Sequence, residues 1–218
     1  MMPASTDLKK IPPEILAKTE RFEVSEFLGK GKSGYSFLIF FGSGEFVLKV
    51  MHNEPNPYYN FSGNKVEYEV RSHNVLEEIG IKVPVLLESS IEENYLIKEY
   101  IPGLTGPEVI SNGEVTDDII KSLIFYSMNA KTKGFNLDYF PANFLITSRE
   151  LYYIDYEINP YSEEWNLENW GIWYWANQQG FTEYLKTGDP KLINEDINKG
   201  IPVKRGFEDI VKNWLKYF

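Results

Sequence analysis

Asp138, Asn143 and Asp155 are the residues of this chain whose types and spacing are best suited to chemistry. Asp138 and Asn143 stand five residues apart with Pro141 between them, which reads as a loop because proline breaks a helix interior. Two short apolar runs follow, 144–146 and 151–154, separated by a polar turn at 147–150. Paired as a hairpin, these runs return Asp155 to the side of Asn143. One carboxylate is then placed to take a proton from a hydroxyl. An amide and a second carboxylate are placed to hold a hard cation such as Mg²⁺, which prefers oxygen ligands. Any one of the three could be a local loop cap; their ordered series favours chemistry. Glu157, two residues beyond Asp155, reads equally well as a further contributor to that site or as an exposed acid.

The first half carries a second constellation. Gly29-Lys30-Gly31-Lys32-Ser33-Gly34 is a complete G-x-G-x-x-G. In a dinucleotide-binding fold a helix follows such glycines. Here residues 35–41 follow, an aromatic and β-branched run that reads as a strand. The loop is therefore expected to be a flap whose backbone N–H groups cover phosphates. Lys49 lies 15 residues after Gly34 in an otherwise apolar strand, positioned to reach the same phosphates. The next helix offers Glu67 and Glu69 as its carboxylate partner, and Glu67 also stands four residues before Arg71.

The elements that must hold these residues are legible from patterning. Residues 1–10 read as a polar lead-in, and Pro12-Pro13 starts a short helix to about 21. Strands are expected at 22–28, 35–41 and 45–51, then a loop at 52–63. A helix at 64–79 presents Val66, Val70, His73 and Leu76 at helical spacing and stops at Gly80. Strands at 83–88 and 94–100 complete a mostly β half. After Gly106 strand signals largely stop, and helices are expected at 116–132, 162–179, 182–186, 191–198 and 204–217. The tryptophan-rich run 163–175 reads as a core helix with Trp165, Leu167, Trp170 and Tyr174 inward and Glu163, Glu164 and Glu168 in solvent. The expected organisation is an N-terminal extension (1–21), a nucleotide-binding lobe (22–103) and a lobe carrying the catalytic loop and metal site (104–218), with ligands favouring the cleft between such lobes.

Composition narrows the function classes. Of 218 residues, 43% are hydrophobic and 16% aromatic, enough for a sizeable core. The net charge of −10 argues against nucleic acid as the main partner. The absence of cysteine excludes disulfides and thiolate chemistry, and His52 and His73 are too few for a histidine-rich metal site. No signal-type apolar segment opens the chain and no run approaches the roughly 20 residues of a membrane helix. A cytoplasmic protein with no membrane partner is the expectation. Oligomeric state is not legible.

Taken together, the glycine loop, Lys49, the acidic helix, Asp-x-x-x-x-Asn and the strand-terminal Asp155 resemble the protein-kinase-like superfamily, over about residues 22–175. The resemblance is greatest to its bacterial aminoglycoside/choline phosphotransferase-like and small atypical branches. EVRSHNVLEEIGIKVP, from Glu69 to Pro84, is similar to their helix-to-strand segment and makes Glu69 the partner of Lys49. KEYIPG is similar to their hinge, which implies adenine binding by Glu99, Tyr100 and Ile101, and IDYE resembles their variant of the D-F-G motif. The chain departs from the pattern at Asn136, where a histidine is usual, and at Ser36, where a valine usually roofs adenine. Phe140 stands where serine/threonine protein kinases carry a lysine, no A-P-E segment is visible, and 63 residues follow Asp155.

The resemblance implies an α+β, bilobal protein-kinase-like fold with a mostly antiparallel β N-lobe and a helical C-lobe. It implies ATP and Mg²⁺ as cofactors, with Gly29, Gly31, Gly34 and Lys49 on the phosphates, Asn143 and Asp155 on the metal and Asp138 as the catalytic residue. The reaction would move the γ-phosphate to a hydroxyl of a small molecule or an atypical protein substrate. The alternative is a catalytically weak pseudokinase that binds nucleotide as a regulator or scaffold.

Overall fold

The computed structural model describes residues 11–54, 63–148 and 150–218; the lead-in at 1–10 and most of the 52–63 loop lie outside them. The chain divides into two compact units, Met1–Asn74 with Pro84–Ile101 and Val75–Val83 with Pro102–Phe218.

In the first unit a short helix α1 (Pro13–Thr19) precedes five strands: β1 (Glu23–Lys30), β2 (Gly34–Phe41), β3 (Gly44–Met51), β4 (Leu86–Ser90) and β5 (Tyr95–Glu99). They form one antiparallel sheet in the order β1-β2-β3-β5-β4. Alternation along the strands sorts their side chains into two faces. Tyr35, Phe37, Ile39, Leu48, Val50 and Tyr95 pack on Ile11 and Ile15 at one face. At the other, Met51 and Leu96 meet Val66 of α2 (Lys65–Glu78). Lys49, two residues before Met51, shares that second face. Helix α2 begins where it does because Asn64 Oδ1 accepts the N–H groups of Val66 (2.8 Å) and Glu67 (3.1 Å). Proline delays β4: the strand expected from 83 begins only at Leu86, after Pro84.

The second unit surrounds a single large core with Trp175, Tyr139, Tyr153, Tyr156 and Tyr174 among its fully buried side chains. Each such side chain contributes on the order of 1.5–3 kcal/mol by burial. Two short strands, β6 (Leu104–Thr105) and, after two helices, β7 (Phe135–Leu137), precede the loop at 138–143. The first of those helices, α3 (Gly106–Asn112), escapes the sequence reading although Thr105 and Glu108 make a capping box. The second, α4 (Asp117–Thr132), buries Ile120, Leu123, Ile124, Ser127 and Ala130, a stripe at helical spacing. Beyond the loop, β8 (Phe144–Ile146) and β9 (Leu151–Tyr153) form the expected hairpin, with Thr147 N–H bonded to Glu150 O in its turn. β8 also pairs with β6, and β10 (Ile158–Pro160) pairs with β7.

The tail departs from expectation in four places. The tryptophan-rich helix starts at Leu167, with a π turn capped by Asn166, and becomes α5 (Ile172–Ala176). It stops at Asn177, whose Oδ1 accepts Gly180 N–H and opens α6 (Gln178–Thr187). Trp165 precedes that start and remains 36% exposed, while Glu168 lies partly buried with Oε2 enclosed, so neither follows the expected face. The expected helix at 191–198 is a hairpin of β11 (Asn194–Asp196) and β12 (Ile201–Pro202). Its turn is set by Asp196 Oδ1, which accepts Asn198 N–H (3.0 Å), and by Gly200 at φ 62°. The last helix, α7, is confined to Glu208–Trp214. Among the described residues, no helix is long and apolar enough to cross a membrane.

Candidate active site

In the first unit the glycine loop is a tight β1–β2 turn, with Gly31 N–H donating to Gly34 O at 2.8 Å. Gly34 is required there because a Cβ would fall 2.8 Å from the Val50 carbonyl oxygen. His52 fastens the loop to the end of β3. Its N–H donates to Ser33 O (3.0 Å), and its Nδ1 accepts Glu54 N–H (3.1 Å). That leaves Nε2 to donate to Gly31 O at 3.1 Å. Burial pulls the His52 pKa down, which favours the neutral ring this bonding needs.

Lys49 points from β3 to α2 and pairs with Glu69, Nζ to Oε1, at 2.6 Å. Ser33 Oγ donates to the same oxygen at 2.8 Å, so the glycine loop, β3 and α2 converge on one carboxylate. Lys49 is 5% and Glu69 3% exposed, which makes this a buried ion pair of the kind that is costly to break. Of Glu67 and Glu69, the two candidates on α2, Glu69 meets the lysine. In the segment expected to be a hinge, Glu99 braces Val85, donating its N–H to Val85 O (2.9 Å) and accepting Val85 N–H on Oε2 (3.2 Å). Tyr100 and buried Ile101 continue without regular structure, and the first unit ends at Ile101.

In the second unit the loop after β7 gathers its own residues. Asp138 Oδ1 accepts Phe140 N–H (3.1 Å), and Asn143 Nδ2 donates to Asp138 O (3.1 Å). Asn143 O accepts Ile154 N–H at 2.9 Å, so Asp155 immediately follows the residue bonded to Asn143. The loop rests on α5: Trp175 Nε1 donates to Tyr139 O (3.2 Å), and a Cβ at Gly171 would fall 2.3 Å from Tyr139 Cβ. Asn136, in place of the usual histidine, is buried and donates from Nδ2 to Ser162 O at 2.8 Å, bracing the β7–β10 pair.

Tyr153 escapes a motif search, yet it joins the two halves of this constellation. Its hydroxyl accepts Asp138 N–H (3.2 Å) and donates to Glu157 O (2.7 Å). Complete burial, then the charges of Asp155, Asp138 and Glu157, raise its pKa well above the tyrosine range. The phenol therefore stays protonated and able to donate. Strand alternation, which turns Leu151 and Tyr153 inward together, is the signal that could have found it. Tyr153→Phe should lower stability by about 1–3 kcal/mol, because it removes a hydrogen bond from the part-buried Asp138 N–H and one from the buried Glu157 carbonyl. Urea unfolding checks this, and an unchanged midpoint would contradict the joining role.

The metal expectation can be tested on donor chemistry. Among the described residues there is no group of three or more His, Cys, Asp or Glu side chains that could hold a metal. Mg²⁺ does not require one, since it is commonly held by one or two carboxylates together with substrate phosphates and water. Asn143 spends Nδ2 on Asp138 O, which leaves its Oδ1 as the group for a cation. Asp155, partly exposed at a bend, is compatible with the same task. The pair fits Mg²⁺ carried in with a phosphorylated ligand.

No family model and no curated protein matches this sequence. Solved structures do. The kinase domain of PknI from Mycobacterium tuberculosis is 15% identical, with 90% of this chain and 85% of that chain covered, at a TM-score of 0.47. The Rio2 kinase–ADP/Mg²⁺–phosphoaspartate complex from Chaetomium thermophilum is 14% identical at a TM-score of 0.51. The match covers 92% of this chain and 65% of that one. The five-stranded antiparallel sheet of one unit and the mostly helical second unit thus make up a protein-kinase-like α+β fold.

Proposed function

We propose that this protein is an ATP- and Mg²⁺-dependent phosphotransferase that moves the γ-phosphate to a hydroxyl of a small molecule or an atypical protein substrate. The observation that carries the reading is the buried Lys49–Glu69 pair behind a glycine loop. An ion pair this far from water is expensive to maintain for stability alone. Lys49 is the cation for the α- and β-phosphates, held in direction by Glu69, while backbone N–H groups of 29–34 cover the phosphates. The backbone of 99–101 takes adenine. Asp138 accepts the acceptor hydroxyl's proton as its oxygen attacks the γ-phosphorus and the bond to the β-phosphate oxygen breaks, leaving ADP. Asn143 and Asp155 would hold Mg²⁺, which when bound would offset charge on the phosphates. The Rio2 kinase that shares the fold is itself a complex with ADP and Mg²⁺.

Calorimetric titration of ATP with and without Mg²⁺ tests the binding half of this reading. The wild type should bind ATP more tightly with Mg²⁺, and Asp155→Asn should lose most of that Mg²⁺-dependent gain while keeping its metal-free affinity. ATP binding that ignores Mg²⁺ in both proteins would remove Asp155 from the metal.

A further inference from the structure

We propose that His52 is a positioning residue for nucleotide binding: its neutral imidazole clasps the glycine loop in the form that covers phosphates, and its protonation releases the clasp. The inference rests on the nucleotide reading above and adds to it a regulation by pH. The segment that follows β3 grips the loop at three points. The Glu54 carboxylate takes the Lys30 ammonium, the His52 ring donates from Nε2 to Gly31 O at 3.1 Å, and the His52 N–H donates to Ser33 O at 3.0 Å. The same carboxylate accepts the Tyr35 hydroxyl from β2. The ring joins these grips, because its Nδ1 accepts the Glu54 N–H at 3.1 Å. A loop already held in one conformation loses less entropy when it closes on phosphates. The clasp therefore raises affinity for the phosphate end of the ligand and leaves the nucleoside end alone.

This bonding admits one protonation state. A backbone N–H can only donate and a carbonyl can only accept, so Nδ1 must carry a lone pair and Nε2 a proton. A proton added to Nδ1 would face the Glu54 N–H donor to donor, and the link between the two residues would be lost. The ring is buried and meets Tyr35 edge-on, with centroids 5.2 Å apart. The charged groups around it are Glu54 of its own segment, Lys30 at the end of β1 and Lys65 in the first turn of α2, whose Nζ donates to His52 O. Burial opposes the imidazolium most strongly and the two lysines add to it, while the Gly31 carbonyl and Glu54 favour it. The balance holds the His52 pKa below the usual histidine value. The clasp is thus intact above that usual value and is lost as pH falls through the lowered one.

The test titrates ATP, tripolyphosphate and adenosine into the wild type, His52→Gln and His52→Leu from about pH 7.5 to about pH 5, the range that brackets histidine titration. Melting temperature at each pH checks that each protein is folded. A glutamine amide can donate to Gly31 O but does not titrate, and a leucine makes neither bond. Protonation of the ligand phosphates is common to all three proteins, so the difference between them reports His52. Across this range the wild type should lose about fivefold more affinity for ATP and tripolyphosphate than His52→Gln does, the usual worth of one hydrogen bond, with adenosine unaffected. At the upper pH His52→Gln should keep most of the affinity, and His52→Leu should bind both polyphosphates about tenfold more weakly. Parallel pH curves in the wild type and His52→Gln would overturn the proposal and leave the nucleotide reading standing. So would equal weakening of all three ligands in His52→Leu, which would make His52 a structural residue. If His52→Leu fails to fold, the comparison of wild type with His52→Gln decides alone. A wild type that binds none of the three ligands would overturn both readings.

Discussion

Lys49→Met should lower the stability of the first unit by about 3–5 kcal/mol, the usual cost of removing one partner from a buried ion pair. The reason is the carboxylate left behind. Glu69 is almost fully enclosed, and without Lys49 its Oε1 keeps the hydrogen bond from the Ser33 hydroxyl. The double variant Lys49→Met, Glu69→Gln should recover much of the loss, since a neutral amide no longer demands a counter-charge. Urea unfolding of the three proteins checks both statements, and a loss below about 1 kcal/mol in the single variant would mean that the pair behaves as a surface salt bridge. The double variant also separates folding from ligand recognition. It should bind ATP much more weakly than the wild type but adenosine about equally, because Lys49 is assigned to the phosphates alone.

Asp138→Asn should leave the fold and ATP binding nearly unchanged and lower ATP turnover by a factor on the order of 10² or more, the usual contribution of a general base. The structure explains why the two effects separate. Asp138 Oδ1 accepts Phe140 N–H, a bond that an asparagine oxygen makes equally well. The contacts that hold the loop to Asn143 and Tyr153 use the Asp138 backbone, its carbonyl and its N–H, and survive the substitution. What the substitution removes is the proton-accepting capacity of the carboxylate. A melting temperature several degrees lower would indicate a structural role, and unchanged turnover would mean that another residue takes the proton.

What was legible in the sequence, and what was not, follows from the range of the interactions. The β8–β9 hairpin could be read because two apolar runs flank one polar turn, and Lys49 stood out because a charge interrupts an apolar stripe. Both are local patterns. Ser33 donating to Glu69 joins residues 36 positions apart, and the Tyr153 hydroxyl serves Asp138 and Glu157 at once; neither leaves a periodic trace. The misread tail has a different cause. Residues 191–198 contain enough apolar and charged residues to pass for a helix, but the Asp196 side chain bonds the backbone of its own turn and Gly200 adopts a left-handed conformation, so turn chemistry overrides propensity. Helical spacing turns Trp165 toward the core only if the helix includes it, and Asn166 sets the helix start after it. At Asn136 the sequence shows the substituted residue but not its consequence: the amide braces the β7–β10 pair through Ser162.

Phosphorus NMR of the wild-type protein with ATP, Mg²⁺ and a panel of hydroxyl acceptors, water included, tests the central claim most directly. Phosphoryl transfer predicts that the ATP resonances decay to ADP together with inorganic phosphate or a new phosphate ester, that the decay requires Mg²⁺, and that it slows by on the order of 10² in Asp138→Asn. ATP that binds the protein yet persists unchanged across the whole panel would contradict the claim and make the chain a nucleotide-binding scaffold.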